Sequence, residues 1–137
     1  MLVYFPEPYR DELLYSLLAR YHRHFSSSGL KQTLDDLFGV RGVIARLDLQ
    51  GNLGLLSTHL PSGWDMGPER LAVDYTLFPY YLAFQPGVIR ERVLHALIGG
   101  SISGLHLLLG LASAASRVRA LRFCPVCVQE MEQAHGE

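Results

Sequence analysis

The chain has 137 residues, 49% of them hydrophobic and 18% charged. That is enough apolar side chain for a sizeable core and excludes a disordered segment; the length fits one ordinary domain, or one small domain and the start of another. A net charge of −1 leaves nucleic acid open as a partner, because a local basic face can sit inside a neutral total.

The opening MLVYFPEPYRDE has neither a basic leader nor a long apolar run, so no secretory signal is expected. In DELLYSLLARYHRHF, Leu13, Leu14, Leu17, Leu18, Tyr21 and Phe25 fall on one side of a helical wheel. This predicts a first helix, with Asp11 as its N-cap and the stretch Ser26 to Gly29 as its end. Glu12, Ser16, Ala19, Arg20 and Arg23 take the opposite face. GLKQTLDDLFG predicts a shorter second helix, with Leu30, Leu34 and Leu37 inward and a stop at Gly39. A looser stretch follows, in which NLGLLSTHL reads as a short helix capped by Asn52. Strand periodicity is weak throughout.

Pro68 opens a helix over ERLAVDYT that buries Leu71, Tyr75 and Phe78 before Pro79 interrupts it. Pro86 opens the next, with Ile89, Val93, Ala96 and Leu97 as its stripe and Gly99 and Gly100 at its end. Ser103 starts a further short helix through Leu111. From Val93 to Ser116 no Lys, Arg, Asp or Glu occurs. That window is long enough to cross a bilayer, but His95, His106 and four glycines favour a buried pair of short helices and no membrane. Tyr80, Tyr81 and Phe84 cluster around Pro79; large aromatics are usually core, so burial is expected over a partner-anchoring role. The fold class is all-α, a compact bundle of short helices with a helix-turn-helix-like N-terminal part. A helical domain is expected over residues 1–120 and a cysteine segment over 121–137.

That last segment carries the chemistry. In FCPVCVQEMEQAHGE, Cys124 and Cys127 have the spacing of one half of a zinc site. A tight Cys-x-x-Cys turn brings two thiolates to one ion, but a closed structural site takes four ligands. His135 is a conceivable third, with a solvated histidine as the simpler reading; the missing ligands are expected beyond Glu137. A thioredoxin-like redox pair and a pair of free thiols stay open. Two close cysteines point to a reducing compartment.

Arg20, Arg23, Lys31, Arg41 and Arg46 follow one another across the first two helices and the turn after them. In a helix-turn-helix such cations meet DNA, whereas on most proteins they are a solvated surface. Nothing points to catalysis. Asp35 and Asp36 diverge on a helix, His22 and His24 face apart, and no phosphate loop, serine elbow or HExxH is present.

Three strings, PYRDELLYSLLARYHR, ERLAVDYTLFPYYLAF and LRFCPVCVQEMEQAHGE, resemble in order and spacing the TnsD/TniQ family of transposition target selectors. TLFPYY, a glycine-rich segment and then a CPxC knuckle is similar to the TnsD-like branch in particular. The resemblance implies a non-catalytic cytoplasmic adaptor of a Tns-type, Tn7-like transposon. Such an adaptor recognises a DNA site or a CRISPR effector complex and recruits an AAA+ ATPase regulator (TnsC-type). It also implies that Cys124 and Cys127 are the first pair of a Zn2+ finger whose second, CxxH pair is absent here. Two other functions stay open beside it, a zinc-dependent DNA-binding regulator and a small CxxC redox protein.

Overall fold

A computed structural model describes residues 2–25, 29–111 and 123–136. It contains helices α1 (Leu14–His24), α2 (Leu30–Phe38), α3 (Leu53–His59), α4 (Pro68–Tyr75), α5 (Phe78–Leu82), α6 (Gly87–Gly99), α7 (Leu105–Leu108) and α8 (Pro125–His135). No strand occurs among the described residues. The expected domain boundary near residue 120 lies outside them.

Helix α1 forms where its periodicity places it, with Leu14, Leu17, Leu18 and Tyr21 buried at helical spacing. Its cap differs from expectation. Asp11 lies outside the helix in the left-handed region (φ 58°), and Leu13 stands at the N-cap. Capping needs an acceptor aimed back at the first-turn N–H groups, and among the described residues no side chain supplies one; Glu12 instead ties the Ser16 side chain to the stretch before the helix. One carboxylate oxygen accepts from Ser16 Oγ at 2.6 Å and the other from the Tyr9 backbone N–H at 2.9 Å.

On α2 the buried face is Thr33, Leu34, Leu37 and Phe38, while Leu30, expected inward, is exposed on the first turn. The stop at Gly39 holds for two physical reasons. Its φ of 68° is left-handed, and a Cβ there would come 2.6 Å from the His59 ring at the end of α3.

Helices α3, α4 and α6 pack on one another; α2 lies on α3 and α5 on α4. The fully buried side chains Leu53, Leu56, Leu71, Val93 and Leu97 come from those three central helices. Asn52 precedes α3 as expected, but its own φ of 60° is left-handed and its side chain caps nothing. The side chain lies instead against Gly100, the left-handed residue (φ 88°) that ends α6. A Cβ at Gly100 would collide with the Asn52 amide oxygen. Gly100→Ala therefore meets backbone strain and a clash together, and urea unfolding should show a loss of about 2 kcal/mol or more. Unaltered stability would contradict this packing.

Pro68 starts α4, as its fixed φ suits a first turn. The link to α5 is a polar latch: Thr76 Oγ1 donates to the Ala72 carbonyl at 2.5 Å and accepts the Phe78 N–H at 3.1 Å. Pro79 then occupies the first turn of α5. The charge-free stretch from Val93 divides into α6 and the four-residue α7, which is shorter than expected because left-handed Gly104 and Gly110 bracket it. Among the described residues no helix is long and apolar enough to cross a membrane.

Candidate functional site

Five cations were candidate contacts, and the structure separates them into two kinds. Arg20 is engaged internally. Its guanidinium lies 2.6 Å from the Glu12 carboxylate, donates to the Glu7 carbonyl at 3.1 Å and covers the Tyr9 ring at 4.0 Å. Glu12 itself is 6% exposed at the side chain. This arrangement ties the irregular N-terminal stretch to α1, and it combines the strong kinds of contact open to arginine.

Arg23, Lys31, Arg41 and Arg46 are exposed, and their side-chain charges have no partner among the described residues. A 2.8 Å hydrogen bond between His22 Nδ1 and Thr33 Oγ1 joins α1 to α2. It sets the end of α1 that carries Arg23 beside the start of α2 that carries Lys31. Arg41 and Arg46 lie in the connection 39–52, which a buried glutamine holds in shape. Gln50 accepts the Arg46 N–H at 2.8 Å and donates to the Gly51 carbonyl at 3.1 Å. That connection between α2 and α3 is much longer than the three or four residues of a helix-turn-helix turn. The four exposed cations thus sit on irregular backbone as well as on helices.

Of the other candidates, His22 is used in the Thr33 bond and His24 packs edge-on against Tyr4. Asp36 accepts from Gln32 at 2.8 Å, while one oxygen of Asp35 is buried without a hydrogen-bond partner among the described residues. The aromatic cluster is not core as a whole. Tyr80 and Phe84 are exposed, Phe84 fully so, and Tyr81 is half-buried. Because α5 is so short, its inward positions are Phe78 and Leu82, one helical turn apart, and Tyr80 falls on the other side.

Sequence reasoning missed Asp48. It is buried in the connection before α3 and joins three separate elements. One carboxylate oxygen accepts from His106 Nε2 at 2.6 Å and from the Tyr81 hydroxyl at 3.2 Å. The other accepts the Leu49 N–H at 2.8 Å, and the Asp48 carbonyl accepts the Leu77 N–H at 2.9 Å. Burial opposes ionisation of Asp48. The bonds from His106, Leu49 and Tyr81 and the His106 charge outweigh that, and the carboxyl lies below its ordinary value. Tyr81 is pushed the other way, to about 12, by burial and then by the Asp48 charge and hydrogen bond.

The cysteines lie on α8. Cys124 is its N-cap residue and Cys127 falls in its first turn, so the expected turn continues directly into a helix. Both are exposed. Hydrogen bonds from the Cys127 backbone and thiol and from the Val126 N–H lower the Cys124 thiol, and the resulting interaction with Cys124 raises Cys127. Thiolates are the form that binds zinc, and a closed tetrahedral site takes four ligands. Among the described residues no group of three or more His, Cys, Asp or Glu forms a cluster able to hold a metal ion.

Comparison with known proteins bears on what these surfaces serve. The TniQ family model matches residues 3–137. The Transposon Tn7 transposition protein TnsD of Escherichia coli is 35% identical over 136 residues, covering 97% of this chain. The chain spans 26% of the length of that relative. With the family pattern matched from end to end, the chain belongs to the TniQ family.

Proposed function

We propose that this chain selects targets for a Tns-type transposon by binding and recruitment: it engages a DNA site or a CRISPR effector complex and brings in an AAA+ ATPase regulator. The observation that carries the reading is family membership over nearly the whole chain, together with a relative that is itself a transposition protein. The exposed cations Arg23, Lys31, Arg41 and Arg46 give it a physical basis, since unpaired arginine and lysine are what phosphate backbones and acidic surfaces attract. Arg20 takes a supporting role in this scheme and the other four make contact. Its test is to immobilise the chain and offer it the regulator and duplex DNA separately. Retention of at least one supports the reading, and failure of the folded chain to retain either contradicts it.

Cys124 and Cys127 would supply two of the four ligands of a zinc ion, which when bound cross-links a local fold. A half-site holds metal weakly. After gel filtration in buffer with neither zinc nor chelator, elemental analysis of the 137-residue chain should find far less than one zinc per chain. A stoichiometric ion would contradict the half-site. The lowered, exposed Cys124 thiol also suits disulfide exchange. That chemistry favours the redox reading if the chain cycles a disulfide with glutathione and retains neither DNA nor regulator.

A further inference from the structure

Two adjoining depressions lie on the surface made by the N-terminal stretch and the segment between α3 and α4. The first, about 630 Å3, is walled by Tyr4, Pro8, Tyr9, Pro61 and Trp64. The second, about 400 Å3, shares Glu7, Pro8 and Trp64 with it and adds Asp65 and Arg70, which pair with each other at 3.1 Å. Trp64 stands between them.

The aromatic walls are held in place from behind. Trp64 packs edge-on against buried Phe5, with ring centres 5.8 Å apart. Tyr4 packs edge-on against His24 at 5.7 Å, and Tyr9 is covered by Arg20. Such walls lose little freedom when something binds. The Trp64 indole N–H has no partner among the described residues and is not sealed from solvent.

The charges give the occupant a sign. Arg20 is neutralised by Glu12 at 2.6 Å, whereas the exposed Glu7 carboxylate on the shared wall has no partner among the described residues. Asp65, 98% exposed, meets only Arg70, at 3.1 Å. An uncompensated carboxylate repels a phosphate backbone and attracts a cation.

The geometry points to this groove as a docking site for a proline-rich protein segment with an adjacent arginine or lysine. A polyproline II segment has no internal hydrogen bonds, so its carbonyls are available to a donor such as the Trp64 N–H. Its proline rings stack between tyrosine and tryptophan, the recurring mode for such ligands. Its basic residue reaches Glu7, the carboxylate on the shared wall that is not already paired among the described residues. The inference extends beyond target selection and stands or falls separately from the exposed cations.

Trp64 is the chain's sole tryptophan, so the protein carries its own probe. An oligoproline peptide flanked by arginines, titrated into the full chain, should shift the tryptophan emission saturably. Fluorescence anisotropy of the fluorescein-labelled peptide should report the same affinity. Trp64→Ala should weaken binding by about tenfold or more in the anisotropy assay, as expected of a central aromatic anchor. Glu7→Lys, at an exposed position, should weaken the arginine-flanked peptide and improve a glutamate-flanked one while the thermal melt stays unchanged. It keeps the test valid if Trp64→Ala fails to fold. Three results would overturn the proposal: no saturation at millimolar peptide, equal binding of a peptide with alanine for every proline, or indifference to Glu7→Lys. Preferential capture of a labelled single-stranded oligonucleotide at Trp64 would also overturn it, as a nucleic-acid site.

Discussion

Asp48→Ala is expected to lower the unfolding free energy by about 3 kcal/mol, the usual range for removing one member of a buried polar node. The substitution orphans the Leu49 N–H and the Tyr81 hydroxyl, both of which the carboxylate accepts. His106 contributes less to the loss, because its ring is 42% exposed and regains water. Asp48→Asn keeps the shape and tests the charge. The folded Asp48 carboxyl lies below its unfolded value, so its contribution is present above about pH 4 and fades as pH falls through the folded value. The stability gap between wild type and Asp48→Asn should therefore narrow in acid. At the alkaline end the sign reverses. The Tyr81 hydroxyl, raised to about 12, stabilises below its ordinary value of 10.0, and that contribution is lost as pH rises through about 12. Urea midpoints of both proteins across pH check each limb; a gap independent of pH would dismiss the node as a charge-dependent feature.

Reversing Arg23 and Lys31 together to glutamate should weaken duplex binding by about tenfold or more, since each phosphate contact carries roughly one counterion of salt dependence. The melting temperature should hold, because neither side chain has a partner among the described residues. Arg20→Glu should do the opposite. It sets a second carboxylate beside the largely buried Glu12, removes the cover of Tyr9, and should cost about 2 kcal/mol of stability. Gel shifts alongside thermal melts of the two variants check the contrast. If Arg20→Glu is as stable as wild type and alone abolishes binding, the assignment of roles is inverted.

The helical stripes were legible because burial repeats at the spacing of the helix itself. Leu14, Leu17, Leu18 and Tyr21 in α1, and Val93 with Leu97 in α6, are read from a short window. Stops at Gly39 and Gly100 were legible for the same local reason. Side-chain partners were not. Periodicity places Arg20 on the polar face of α1, but only the folded N-terminal stretch brings Glu12 and the Glu7 carbonyl onto it. Asp48 gave no signal. It lies in a non-periodic connection, and its partners Tyr81 and His106 are 33 and 58 residues away. The groove is hidden likewise, since Tyr4 and Trp64 come to line one depression only after the irregular N-terminus packs beside the end of α3. Tyr80 and Phe84 misled in the other direction. Aromatics are usually buried, but a helix as short as α5 covers only one face.

The most direct measurement is the affinity of the folded chain for duplex DNA across a salt series, run beside its affinity for the AAA+ regulator. An adaptor working through Arg23 and Lys31 predicts saturable binding to one or both, with a salt slope that shrinks by about two when those charges are reversed. Contradiction would be a well-folded chain that binds neither, or one whose binding ignores both salt and the reversal.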